Sequence, residues 1–334
     1  MPAYRSRWSK NAGVLRAVSL CCGSILALTG VEASAQSFPA RAVRYIMPLP
    51  AGSETDTFAR VLSRRLAELW DQQVVVENRP GGGTTIGTEV AAKVAPDGYT
   101  VLHAITAHAI NATLYPRLPY DSLKDFACIT QIGSIYGVLV AHPSFPPNNI
   151  AELIALAKRH PGQITYASGG SGTSNHIAGE ALRFAAKIDI VHVPYKGGSQ
   201  AFLDLLPGRV PLLATVVLEA LPHIRSGKVK VIASTSAQRA PSLPQVPTIA
   251  ESLPAYKSGT IFWALVTRSG APQSAIGKLN TDVVKAMSAA EVRERLTQMD
   301  IEPVGSSPEQ CDAFLREQVA LWGAVVKTSG ARVD

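Results

Sequence analysis

Aromatic side chains are scarce in this chain of 334 residues, which holds eight Phe, nine Tyr and four Trp. That excludes a nucleic-acid surface built by stacking bases on successive rings. Charged residues are sparse too, at 17%, and no block of Lys or Arg stands out. The basic stripe of a protein that tracks phosphates is therefore missing. There are four cysteines, none in a Cys-x-x-Cys pair, and no His-Glu-x-x-His occurs. The familiar structural-zinc and metalloprotease spacings are thus absent. Beyond the N-terminal leader no apolar run reaches the ~18 residues of a spanning helix, which excludes a multi-span membrane protein.

What the chain does have is apolar mass. Hydrophobic residues make up 46% of it, enough for a large core and too many for a disordered polymer. At the front, Arg5, Arg7, Lys10 and Arg16 stand without an acid among them, and an apolar run follows from Ala17 to Val31. Ala33-Ser34-Ala35 then precedes Gln36. A basic segment, a short apolar segment and an A-x-A site together predict a secretory signal peptide over residues 1–35, cleaved after Ala35. Cys21 and Cys22 lie inside the apolar run, and Leu20 is ill suited to precede a lipidated cysteine.

Removing the leader leaves 28 basic against 24 acidic residues, a mild net charge of +4. Nucleic acid is not an expected partner at that charge. Two cysteines remain, Cys128 and Cys311. An oxidising compartment permits a bridge, but two cysteines make no disulfide framework, and two buried thiols are the expectation.

Strand-like and helix-like segments alternate along the mature chain. Val43–Met47 reads as a strand stopped by Pro48 and Pro50, and Phe58, Leu62, Leu66 and Leu69 mark one face of the next helix. Val74–Val76 and Tyr99–Leu102 complete a β-α-β-α-β opening. A second series starts at strand Val138–Ala141 and continues through helix Ile150–Arg159 and strand Ile164–Ala167. It then runs through a helix from about Ser174 and strands Ile190–Val193, Val210–Val217 and Val229–Ala233. A connector with four prolines spans Arg239–Pro254. Strand Phe262–Thr267 and helices around Pro272–Met287 and Pro308–Val326 finish the chain. Two βα series followed by a return predict two α/β lobes, with the C-terminal part folding back on the first. The crossings should lie near Gly133–Tyr136 and Lys257–Thr260.

Ligands in open α/β sheets bind beyond the carboxyl ends of strands, beside helix N-termini that offer free N–H groups. Pro48–Ser53, Thr106–Asn111, Ser168–Thr173 and Tyr195–Gly198 hold such positions. They read either as anion cradles or as the ordinary βα turns any α/β protein needs. Enzyme templates fit poorly. Gly169–Thr173 lacks the closing Gly of G-x-S-x-G, Gly81–Ile86 departs from G-x-G-x-x-G, and no P-loop is present. Ser168, His176 and Asp204 have the composition of a triad, yet capping or core roles suit them better. Ser53-x-x-Asp56 resembles a capping box with Asp in the usual place of Glu. The residues predict no catalytic group, no metal and no cofactor.

Taken in order, the motifs resemble the substrate-binding proteins of tripartite tricarboxylate transporters, the Bug family. The resemblance rests on Pro50-Ala51-Gly52 with Asp56, Glu77-Asn78-Arg79-Pro80-Gly81 and Ala95-Pro96-Asp97-Gly98-Tyr99. It continues through Asn111-x-x-Leu114-Tyr115, Leu118-Pro119-Tyr120-Asp121, Tyr166-Ala167-Ser168-Gly169 and Val193-Pro194-Tyr195-Lys196-Gly197. Leu243-Pro244-x-Val246-Pro247-Thr248 and Trp322 extend it to the C-terminus.

This resemblance implies a two-lobed periplasmic binding protein, type II-like, each lobe a mainly parallel sheet flanked by helices, with the ligand cleft between lobes. Lobe 1 would comprise residues 36–135 and 259–334, and lobe 2 residues 136–258. The implied partners are a small carboxylate, held by amides, hydroxyls and water, and the membrane subunits of a transporter; the receptor itself would be a monomer. Carried onto this chain, the ligand-binding positions are Ala51, Gly52, Ser53, Asp56, Thr106 and Ala107 on the first lobe. On the second they are Ser168, Gly169, Thr173, His176, Tyr195, Lys196, Gly197 and Asp204. Ser53 stands where the family pattern usually has a second Gly, which bears on specificity. The alternatives are a hydrolase-like enzyme, which turnover would reveal, and a sensor subunit, which would bind a membrane partner without a ligand.

Overall fold

A computed structural model describes residues 38–332. The expected leader and its cleavage site lie outside the described residues. The first series gives β1 (Val43–Met47), α1 (Glu54–Trp70), β2 (Val74–Asn78), α2 (Thr85–Ala92), β3 (Thr100–Ile105) and α3 (Ala107–Leu114). After β4 (Phe126–Ile135) the second series follows: β5 (Gly137–Ala141), α4 (Ile150–Arg159), β6 (Ile164–Ser168), α5 (Ser174–Ala186), β7 (Ile190–Pro194) and α6 (Gly198–Leu205). It ends with β8 (Leu212–Val216), α7 (Val217–Arg225), β9 (Lys230–Ser234) and the short α8 (Ile249–Ser252). The chain then returns through β10 (Ile261–Arg268), α9 (Gln273–Met287), α10 (Ala290–Gln298), β11 (Glu302–Pro303) and α11 (Pro308–Ser329).

Two sheets form. One has six strands in the order β11-β4-β10-β3-β1-β2, the other five in the order β7-β6-β8-β5-β9. Both are mixed rather than simply parallel. β1 pairs in parallel with β2 and β3, and β6 with β7 and β8, whereas β10 runs against β3 and β4, and β5 against β8 and β9. The reason lies in the crossings. β5 and β10 are the strands by which the chain enters from the other sheet, so each starts where its neighbours end.

The crossings are locally specified. Gly137 N–H donates to Ser236 Oγ at 2.8 Å, and a Cβ at Gly137 would sit 2.2 Å from Thr235 Oγ1, so a side chain is excluded there. At the return, Trp322 is buried and its indole N–H donates to the Thr260 carbonyl at 3.2 Å. Helix α1 buries Phe58, Leu62 and Leu66, the i, i+4, i+8 stripe that the sequence carries.

Cys128 in β4 and Cys311 in the first turn of α11 form a disulfide, with Cα atoms 5.8 Å apart. This corrects the expectation of two free thiols. Both are indeed buried, but the fold brings a strand and a helix 183 residues apart within bridging distance, which sequence spacing does not reveal.

Two histidines are enclosed in the first core. His103 accepts or donates only through Nδ1, 2.7 Å from the Tyr45 hydroxyl, and burial drives its pKa down to about 3. Burial likewise lowers His108 to about 4, against a raising contact with the Ser122 carbonyl. Both are neutral when folded and free to protonate when unfolded, so unfolding takes up protons below the ordinary value of 6.5. Stability should therefore be flat above pH 7 and fall as pH drops from 6.5 toward 4. Urea midpoints across that range measure it, and His103→Phe should flatten part of the slope; a pH-independent midpoint would contradict the assignment.

Candidate functional site

Five of the strands that run in parallel, β1, β3, β6, β7 and β8, point their carboxyl ends at one cavity of about 480 Å³ between the two sheets. Its lining comes from the segments after β1, β3, β6, β7 and β8 and from the start of β10. Among the described residues, five helices begin at its wall. These contribute Glu54 and Thr55 (α1), Ala107 (α3), Ser174 and Asn175 (α5), Gly198, Ser199 and Gln200 (α6), and Leu218 and Glu219 (α7). First-turn N–H groups have no intrahelical acceptor, so each helix turns amide donors and the positive end of its dipole toward the cavity. Leu49, Ile105, Ile135, Ile261, Phe262 and Trp263 supply an apolar wall.

The caps show how the chain builds these ends. Ser53 Oγ accepts from Asp56 N–H at 3.2 Å and Thr173 Oγ1 from His176 N–H at 3.3 Å. Glu54, Thr55, Ser174 and Asn175 are left with their amides unclaimed by the helix. Ser53 itself lines the cavity. Capping uses its oxygen as an acceptor, and a hydroxyl so engaged still has a proton to donate. Capping and ligand contact are therefore compatible at Ser53.

The fourteen positions implied by resemblance divide by location. Ala51, Gly52, Ser53, Thr106, Ala107, Gly169, Thr173, Lys196 and Gly197 line the cavity. Asp56, Ser168, His176, Tyr195 and Asp204 stand behind it. The Asp56 carboxylate accepts from Gly52 N–H (2.9 Å), Asn78 Nδ2 (2.8 Å) and Arg60 Nε (3.0 Å), which fixes the Ala51–Gly52 turn. Burial alone would raise its pKa, but those three bonds outweigh it and hold the carboxyl below its ordinary value. Ser168 Oγ lies 2.7 Å from His192 Nε2 and accepts from Gly170 N–H at 3.1 Å. His176 stacks on His192, ring centroids 4.2 Å apart, so this group supports the Ser168–Thr173 loop from behind. Asp204 accepts from the Tyr195 hydroxyl at 2.8 Å and Arg209 at 2.9 Å. The three residues with a triad's composition thus have other hydrogen-bond partners: Ser168 pairs with His192, His176 Nδ1 accepts from Gly172 N–H at 3.3 Å, and Asp204 pairs with Tyr195 and Arg209. Thr106 is in the wall, yet its hydroxyl takes the Phe262 N–H at 2.9 Å and ties α3 to β10.

Several lining residues escape a reading based on small-residue loops, among them Glu54, Asn175, Gln200, Glu219 and Trp263. Applying the strand-end rule to the strand before Val217 would have found Glu219. Three of the lining residues are charged: Glu54, paired with Arg295 at 2.6 Å, the exposed Lys196, and Glu219.

Two lobes, a cleft at the strand ends and a ring of helix N-termini define a two-lobed solute-binding protein. The family model for "Tripartite tricarboxylate transporter family receptor" matches residues 58–331, and the chain belongs to that family. A protein encoded in the tcbD-tcbE intergenic region of Pseudomonas sp. strain P51 is 36% identical over 310 residues, 91% of this chain and 92% of the relative. The periplasmic binding protein BugD superposes with a TM-score of 0.80 at 32% identity, over 88% of this chain and 99% of its own. Rpa4515 of R. palustris, solved with adipate, gives 0.81 at 31% identity, over 89% and 100%. MatC from Rhodopseudomonas palustris, with bound malate, gives 0.80 at 30% identity, over 86% and 100%.

Proposed function

We propose that this protein is a periplasmic receptor that captures a small organic acid and delivers it to the membrane subunits of a tripartite tricarboxylate-type transporter. The observation that carries this reading is the convergence of five helix N-termini on one cavity with hydroxyls and an apolar wall. A carboxylate there would be held by charge-assisted hydrogen bonds from amides and from Ser53, with no need for a buried salt bridge. The adipate and malate of the neighbours support the choice of ligand class. The cavity-lining members of the implied set would touch ligand, and Asp56, Ser168, His176, Tyr195 and Asp204 would position the loops that do. Calorimetric titration with C3–C6 mono-, di- and tricarboxylates tests this. Saturable binding without turnover is expected, and the absence of any binding across the series would sink the reading. Intact mass of the exported protein should begin at Gln36.

The lobes would be residues up to 135 with 259 onward, and residues 136–258. A ligand that touches both favours the closed form by its differential affinity. Gly83, at φ +58, already abuts the far side, because a Cβ there would meet the Ser171 carbonyl at 2.9 Å. Small-angle scattering should show a smaller radius of gyration on saturation with the tightest acid of the series. Gly83→Val should keep it larger and weaken binding; an unchanged profile in the unsubstituted protein would contradict hinge closure.

A further inference from the structure

Glu219 is a carboxylate in a cavity otherwise arranged for anions. It follows β8 in the first turn of α7, and its Oε2 accepts from the Thr215 hydroxyl at 2.7 Å. No ion pair reaches it among the described residues, and Oε1 has no hydrogen-bond partner there. Its carboxyl is pressed against the start of α6: a Cβ at Gly198 would lie 1.7 Å from Oε2. The α6 N-terminus, one of the five anion seats, is thus already faced by the protein's own carboxylate. Ser53 and the first residues of α1 and α5 line the same cavity, while the Thr173 hydroxyl is already engaged with the Gly170 carbonyl at 2.8 Å. The site therefore combines amide and hydroxyl donors with a built-in acceptor at the start of α6.

We propose that Glu219 sets ligand specificity, and that the cavity takes an acid bearing an ammonium group, an amino-acid-like zwitterion, in preference to the plain carboxylate. The ligand carboxylate sits at the α1 and α5 ends, and its ammonium donates to Glu219 Oε1 beside α6. This deepens the receptor reading above and rests on it. Burial pushes the Glu219 pKa up against the Thr215 hydrogen bond, and the Glu54 carboxylate adds to the rise. A cation at Oε1 removes that penalty, whereas a second ligand carboxylate there would increase it. Lys196, the cation of the lining, is solvent-exposed and adjoins the same helix start, and among the described residues it forms no ion pair with the half-buried Glu219.

Matched pairs that differ by one ammonium group provide the test: aspartate and succinate, glutamate and glutarate, 4-aminobutyrate and butyrate. Each is titrated calorimetrically at pH 7 into the wild-type protein and into Glu219→Gln. The wild type should prefer the amino member of the pair it binds by about tenfold or more, the scale of one desolvated charge pair. Glu219→Gln should erase the preference by weakening the amino acid and strengthening its plain counterpart. Equal or tighter binding of the plain acid by the wild type overturns the proposal and leaves the receptor reading standing. So does a preference that survives Glu219→Gln, since another group then holds the ammonium. Failure of all six compounds, and of the carboxylate series, overturns the receptor reading and this proposal with it. The wild-type comparison does not depend on any variant folding.

Discussion

Ser53→Asp should abolish carboxylate binding while Ser53→Asn largely keeps it. Both replacements present an oxygen that can accept the Asp56 N–H, and both rank with Ser as helix N-caps. They differ by one negative charge at the cavity wall. A carboxylate about 4 Å from a ligand carboxylate costs on the order of 2–4 kcal/mol at the effective dielectric of a partly enclosed site, or roughly 30- to 1,000-fold in affinity. The Asn variant should lose only the hydroxyl's own contact, about 0.5–1.5 kcal/mol. Titration of both variants with the same acid, alongside their melting curves without ligand, separates binding from stability. Equal affinity in the two variants would remove Ser53 from the binding surface and return it to capping alone.

Reduction of the Cys128–Cys311 bridge should lower stability by about 2–5 kcal/mol, because the closed loop is long and its removal frees the unfolded chain. The double replacement Cys128→Ser and Cys311→Ser should show a similar loss in urea midpoint without a change of fold by circular dichroism. Cys128 and Cys311 are both buried, so part of the loss in that variant comes from placing hydroxyls in an apolar setting. Cys128→Ala with Cys311→Ala isolates the crosslink. If the Ala pair were as stable as the oxidised wild type, the bridge would contribute nothing.

The elements most open to sequence reading were those with chemical punctuation. Pro48 and Pro50 stop β1, Ser53 opens α1, and Asn149 opens α4 by accepting the Glu152 N–H. β4 carries no such marks: Phe126–Ile135 is buried almost throughout, so no alternation betrays a face. α3 lies where the sequence reads as a βα turn, because its start, Thr106, has helical backbone angles and caps nothing with its side chain. α10 buries only Val292 and Leu296 and is otherwise polar, which leaves little periodic signal. Within the site, loop positions were legible but orientation was not. Thr173 and Ser168 end the same hydroxyl-rich loop, yet one faces the cavity and the other pairs with His192. That distinction depends on what packs behind the loop, and His192 comes from a different strand.

The double crossing has a consequence for the order of events as the chain folds from its N-terminus. All of the second sheet, from β5 to β9, is encoded between Cys128 and Cys311. The first sheet cannot be completed until β10 arrives, and the bridge cannot close until α11 follows it. A polypeptide delivered N-terminus first therefore holds β1 to β4 unfinished while the inserted segment passes. Formation of the crosslink is then a timestamp: a molecule oxidised at this pair has received its last helix.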